Sequence, residues 1–95
     1  MSHSISHQVD GHRGAFTVGR EGETLATMTY TVAGASVIII DHTEVGESLR
    51  GTGAGQALVE AVVEWARANG KRIRPLCPFA RSVFDRTPEF SDVRH

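Results

Sequence analysis

The sequence changes periodicity across a glycine-rich turn, and that change restricts the fold more than any other feature. Residues 37–40 read VIII, four consecutive β-branched residues. Such a run predicts a strand covered on both faces and central in a sheet. Across residues 53–69 apolar residues recur at helical spacing instead. Leu58, Val62, Trp65 and Ala66 form the stripe, flanked by Ala57, Val59 and Ala61, and Gly70 marks the stop. Between the two lies RGTGAG, residues 50–55. Glycine loses more backbone freedom on folding than any other residue, so this cluster marks a place where side chains would be in the way. A short strand, KRIRPL, follows the helix. Strand, helix and strand in that order predict a parallel pair joined by a right-handed crossover.

Upstream, ISHQVD, GAFTVGR, TLATMTYTVAG and SVIIIDHTEV read as four strands joined by short turns, an antiparallel meander. Downstream, CPFARSVFDRTPEF reads as a second helix, with Cys77 as cap, Pro78 in the first position and Pro88 as terminator. The expected fold is α+β, a mostly antiparallel sheet in the order β-β-β-β-α-β-α with helices on at least one face. The 95 residues predict one domain over 1–95 with a modest core.

Composition excludes several classes. A net charge of -1 offers no bulk attraction to nucleic acid. No apolar run approaches the ~20 residues of a membrane span. The first ten residues lack the basic and apolar regions of a secretory signal, so a cytoplasmic protein is expected. Cys77, the single cysteine, forms no internal disulfide. His3, His7 and His12 are spaced too widely for a zinc motif, and no metal is expected. Charge is uneven locally: Arg67, Lys71, Arg72, Arg74 and Arg81 follow one another without an acid, while Asp41, Glu44 and Glu47 lie together without Lys or Arg. Such runs are usually solvated surface; the functional reading is a phosphate-facing edge beside an amine-facing one.

A helix that opens on small residues presents unpaired N–H groups and partial positive charge, the setting for a bound phosphate. Three glycine motifs compete for the turn. A P-loop needs Lys and then Ser or Thr after its last glycine, but Gln56 and Ala57 follow Gly55. A dinucleotide fingerprint needs glycine where Gln56 stands, and an acid about 20 residues on, where Lys71 and Arg72 stand. R-x-x-G-x-G fits, as Arg50, Gly53 and Gly55.

With DHTEV, ESLRGTGAG, PLCPFA and FDRTPEF, this pattern resembles the GNAT superfamily of N-acetyltransferases, and within it the short YjdJ-type branch. The resemblance covers about residues 14–93. It implies that backbone amides of Arg50, Gly51, Thr52, Gly53, Ala54, Gly55 and Gln56 hold the pyrophosphate of acetyl-coenzyme A. The pantetheine arm would run beside His42, Thr43, Glu44 and Val45 like an added strand. Cys77, Pro78 and Phe79 would flank the thiol end. Cys77 and His42 lie in the segments that the branch associates with catalysis. The implied function is acetyl transfer to a primary amine of a small molecule or a protein, by a monomer or weak homodimer. The rival reading is a coenzyme A binding module with little turnover. Ordinary members of the superfamily place helices between the first two strands and further strands at the C-terminus; without them the acceptor side is open.

The residues themselves leave two chemistries. Cys77 precedes a helix, where a thiol gains thiolate character, with Arg74 and Arg81 near in sequence; the plain reading is an inert buried cysteine. Strand alternation puts Ile39 with Asp41 on one face and Ile40 with His42 on the other. His42 is then a base for direct attack by the amine on the thioester, or the partner of an acyl-accepting Cys77; the plain reading is a satisfied core histidine. Asp41 and Glu44 orient it or attract a cationic amine. Trp65 reads as core or interface, Phe79, Phe84 and Phe90 as packing of the last helix. Lys71 and Arg72 read as solvated, or as partners of the coenzyme's 3′-phosphate.

Overall fold

The structure, a computed structural model, describes residues 4–95. Among them, five strands form one sheet in sequence order. β1 (Ile5–Asp10), β2 (Arg13–Arg20), β3 (Glu23–Val32) and β4 (Val37–Val45) make the antiparallel meander. A 3-10 turn over Glu47–Leu49 leads into α1 (Ala54–Ala68), which crosses to β5 (Arg72–Pro75). β5 pairs with β4 in parallel. α2 (Pro78–Asp85) and a 3-10 helix over Pro88–Val93 follow. The expected element order is therefore observed.

Alternation in β2 and β3 turns Phe16, Val18, Ala26, Met28 and Tyr30 to one face of the sheet, where Ile38, Ile40 and Ile73 join them. α1 lays Leu58, Val59, Val62, Val63 and Ala66 on that face, and α2 adds Ala80, Val83 and Phe84. These side chains form one buried cluster. Each fully buried aliphatic side chain there contributes about 2 kcal/mol. On the other face Thr17, Thr27, Thr29, Thr31 and Ile39 are only half-buried, and no described helix covers them. The VIII run is thus central by pairing, not by double cover. Ile38 and Ile40 are buried, while Val37 and Ile39 are half-exposed.

The second helix is shorter than its sequence predicts. Pro88 disfavours helical backbone at the residue before it, and Thr87 adopts φ -127° and ψ 82°. The helix stops at Asp85, and Pro88 opens the 3-10 helix instead of ending α2. That last helix is tied back to α1 by Arg67, whose guanidinium donates to Asp92 at 2.9 and 2.8 Å and to the Glu89 carbonyl at 2.6 Å. The Asp92 carboxyl is held below its usual range mainly by this hydrogen bond. Beyond the 3-10 helix the chain returns to β5, where the His95 amide donates to the Ile73 carbonyl at 2.8 Å.

Trp65 lies at the margin of the core, in an aromatic cluster with His7, Phe16 and Tyr30. The His7 ring stacks on Phe16 at 4.0 Å, and its Nε2 lies 2.6 Å from the Tyr30 hydroxyl. Burial lowers the His7 pKa and raises that of Tyr30. His3 falls outside the described residues, and His12 sits in the β1–β2 turn. Among the described residues no three His, Cys, Asp or Glu side chains are placed to share a metal ion, and no helix is long and apolar enough to cross a membrane.

Candidate functional site

β4 and β5 part company at Ile40. Their pairing runs from Val37 opposite Arg72 to Ile40 opposite Pro75. The Ile40 carbonyl then accepts the amides of both Leu76 and Cys77, each at 3.2 Å, as the chain swings away into α2. Residues 41–45 keep β3 on one edge and, among the described residues, have no strand on the other. A wedge therefore opens between the tip of β4 and the start of α2.

A β-bulge sits at the same point. Tyr30 faces Ile40 and Thr29 faces His42, so Asp41 is the extra residue of β4. This overturns the alternation read from sequence. Ile40 is fully buried, whereas His42 is exposed on the helix-free face. Thr43 and Val45, opposite Met28 and Ala26, turn to the helix side, and Glu44, opposite Thr27, turns away. The Thr31 hydroxyl donates to the Asp41 carboxylate at 2.7 Å on the helix-free face.

Cys77 caps α2 and is 6% exposed. Its thiol donates to the Thr43 hydroxyl at 3.3 Å and makes no cap bond to the helix. Thr43 and His42 are neighbours in a strand and point to opposite faces. The structure thus joins Cys77 to Thr43 and does not bring Cys77 and His42 together. Arg74 alternates to the exposed side of β5 and does not approach the thiol.

The glycines answer to different causes. Gly51 and Gly53 have φ of 79° and 83°, in the left-handed region where a side chain is strained, although nothing lies within 4 Å of an added Cβ. Gly55 is helical, and its added Cβ would stand 2.6 Å from Cζ of Phe79. The turn is anchored by buried Leu49, whose carbonyl accepts from the Thr52 amide and hydroxyl. Gly53 caps α1 without a side chain, and the amides of residues 53–56 have no partner among the described residues. The mouth of α1 is thus an array of donors that no described residue satisfies.

These pieces enclose a cleft of about 390 Å³. Val45, Leu49 and the glycine turn with Gly55 and Gln56 line it from the β4 and α1 side, and Phe79 and Arg86 line it from α2 and its end. Arg50 and Arg86 line it, and no carboxylate does. A second hollow of about 480 Å³ lies at the ends of β3 and β4, with Thr27, Glu44 and Arg50 in its wall. Pro78 occupies the first turn of α2 beside Phe79. Lys71 and Arg72 lie past the opposite end of the 15-residue α1, about 22 Å from the glycine turn, and the Lys71 ammonium donates to the Ala35 carbonyl at 2.9 Å. They are remote from the helix mouth. Sequence reasoning named Thr43 beside the pantetheine arm but did not find its bond to Cys77, and it did not find Arg86. The four-residue spacing from Ser82 to Arg86 along α2 was the available signal for Arg86.

A mixed sheet whose parallel pair parts beside a glycine-opened helix is the small GNAT fold, and the comparisons agree. The profile of the GCN5-related N-acetyltransferases matches residues 14–93. The solution structure of a GCN5-like protein from Staphylococcus aureus is 34% identical, covers 100% of this chain and 91% of its own, and superposes with a TM-score of 0.74. The chain belongs to the GCN5-related N-acetyltransferase family. More distant neighbours share the fold. The ribosomal-protein-alanine N-acetyltransferase from Brucella melitensis biovar Abortus 2308 is 19% identical over 80% of this chain, with a TM-score of 0.67. An aminoglycoside 6′-N-acetyltransferase complexed with coenzyme A is 18% identical over 70%, with a TM-score of 0.60. This chain spans 61% and 38% of their respective lengths. No curated protein matches it in sequence.

Proposed function

We propose that residues 1–95 form a minimal domain that transfers an acetyl group from acetyl-coenzyme A to a primary amine. The observation that carries this reading is the wedge between β4 and α2 opening directly onto the cationic, donor-lined cleft. The residues present fit the coenzyme. Unpaired amides at the mouth of α1, with Arg50, suit its diphosphate. The unpaired edge of residues 43–45 suits the amide groups of an extended arm, as an added strand would. Cys77, Pro78 and Phe79 close the end of the wedge. A relative of the same fold was solved with coenzyme A, which supports this assignment.

The bound thioester would supply an activated acyl group; the chain supplies position and proton transfer. Backbone amides at the bulge, where β4 has no partner on its β5 side among the described residues, would polarise a carbonyl in the wedge. The acceptor enters from the helix-free face, which carries His42, Asp41 and Glu44. His42, exposed there, takes the ammonium proton directly or through water. The amine nitrogen would then bond to the acyl carbon as the carbon–sulfur bond breaks, and the proton that the nitrogen sheds would end on the departing coenzyme sulfur. Direct transfer is preferred over an acyl-cysteine route, because His42 and Cys77 face opposite sides of the sheet and the Cys77 thiol is spent on Thr43.

One feature favours the rival reading of a binding module: among the described residues no helix covers the face on which the acceptor would rest. The deciding experiment mixes protein, acetyl-coenzyme A and a panel of polyamines, amino acids and lysine peptides and follows free thiol. Amine-dependent thiol release supports the transferase. Tight coenzyme binding without such release supports the module, and absence of binding defeats both.

A further inference from the structure

The glycine turn approaches the cleft from α1 and β4, but α2 and its end also line it, and they too carry a cation. Arg86 follows the last residue of α2, and its guanidinium is laid back along that helix by a short relay. Its Nη1 donates to the Ser82 hydroxyl at 3.0 Å, and that hydroxyl donates to the Phe79 carbonyl at 3.1 Å. The relay runs towards the first turn of α2, where Phe79 meets Gly55, and Arg86 lines the same cleft as the glycine turn. The chain has a net charge of -1, yet this cleft has two arginines and no acid in its wall. Arg86 is not taken up by an internal ion pair; the salt bridges among the described residues involve Arg67 and Arg94.

We propose that Arg86 is a diphosphate-binding residue of the cleft, reaching the ligand from the end of α2, and that Ser82 is its positioning residue. This rests on the reading of the cleft as a coenzyme A site. A diphosphate diester carries one negative charge on each phosphoryl group. The helix mouth supplies about half a positive charge, which leaves most of that charge to be met by side chains. Arg50 from the turn before α1 and Arg86 from the end of α2 meet it with one guanidinium each, and a guanidinium engages two phosphoryl oxygens at once. Ser82 holds a long, rotamer-rich side chain near its bound position, which lowers the ordering cost of binding.

Titration calorimetry with coenzyme A, dephospho-coenzyme A and pantetheine, repeated at low and high salt, tests this. Arg86→Ala should weaken coenzyme A and dephospho-coenzyme A alike by about tenfold or more, leave pantetheine unchanged, and flatten the salt dependence of affinity. Arg86→Lys should recover part of the loss, and Ser82→Ala should show a smaller loss of the same kind. Unchanged coenzyme A affinity in Arg86→Ala overturns the proposal. So does a loss confined to coenzyme A, which would assign Arg86 to the 3′-phosphate. If the wild-type protein takes up no coenzyme A, the reading of the cleft fails first. Arg86 is exposed, so its variants should melt with the wild type and affinity losses can be read as contacts.

Discussion

Gly55 and Phe79 touch so closely that a methyl group on the glycine would stand 2.6 Å from the ring's Cζ. The first turns of α1 and α2 meet there, and both residues line the cleft. The third glycine of the turn is thus a packing requirement between two helices as well as an opening for a ligand.

Gly55→Ala should leave the fold intact and damage the cleft. Phe79 is 36% exposed, so its ring has somewhere to go. The gain in helix propensity, about 1 kcal/mol, offsets part of the repacking cost of about 1–3 kcal/mol. Thermal melts should move by no more than about 5–10 °C, while calorimetry should register weaker coenzyme uptake. Undiminished uptake would mean that the ring's position does not shape the site.

Gly14→Ala should do the reverse. Its Cβ would collide with the Tyr30 ring, which is 2% exposed and tied through its hydroxyl to His7. That ring has no outlet. A loss of about 1–3 kcal/mol or more is expected in urea denaturation, with coenzyme affinity of the folded protein preserved because the cluster lies apart from the cleft.

Cys77→Ala should retain amine-dependent turnover within about threefold of wild type, a barrier change under about 1 kcal/mol, if transfer is direct. It should also cost about 1 kcal/mol of stability for the lost buried thiol. His42→Gln should lower kcat/KM by about a hundredfold while coenzyme binding is retained. Loss of turnover in Cys77→Ala with coenzyme binding intact would restore the acyl-cysteine route.

Stability should fall as pH drops through 6.5. Burial lowers the folded pKa of His7 below the ordinary histidine value of 6.5, so folding favours the neutral ring. Its contribution is complete above 6.5 and is lost as pH falls towards the lower folded value, where the unfolded chain binds the proton more readily. His7→Phe should abolish that slope in denaturation curves taken on either side of pH 6.5. An unchanged slope would assign it to another group.

The meander, the crossover helix and the glycine turn were legible because period and turn chemistry are local. Leu58, Val62 and Ala66 announce the buried side of α1 at helical spacing, and Gly53 caps it as its backbone freedom allows. The disposition of His42 was not legible. The bulge that turns it outward comes from the pairing of β4 with β3, and no residue type at Asp41 announces it. Arg86 escaped notice because what brings it to the cleft is tertiary: α2 must first dock on β4 and β5. The length of α2 was misread because Pro88 acts backwards on Thr87, which ends regular helix sooner than the proline itself.

One supernumerary residue in β4 is absorbed as a bulge, so the side chains at its tip keep the facing that their partners on β3 dictate. Deleting Asp41 would restore plain alternation and leave His42 looking away from the helices and Thr43 towards them, as now. The reactive end of this molecule is thus insulated from the parity of residues in β4, and a family member could gain or lose one codon at the bulge without exchanging its inner and outer chemistry.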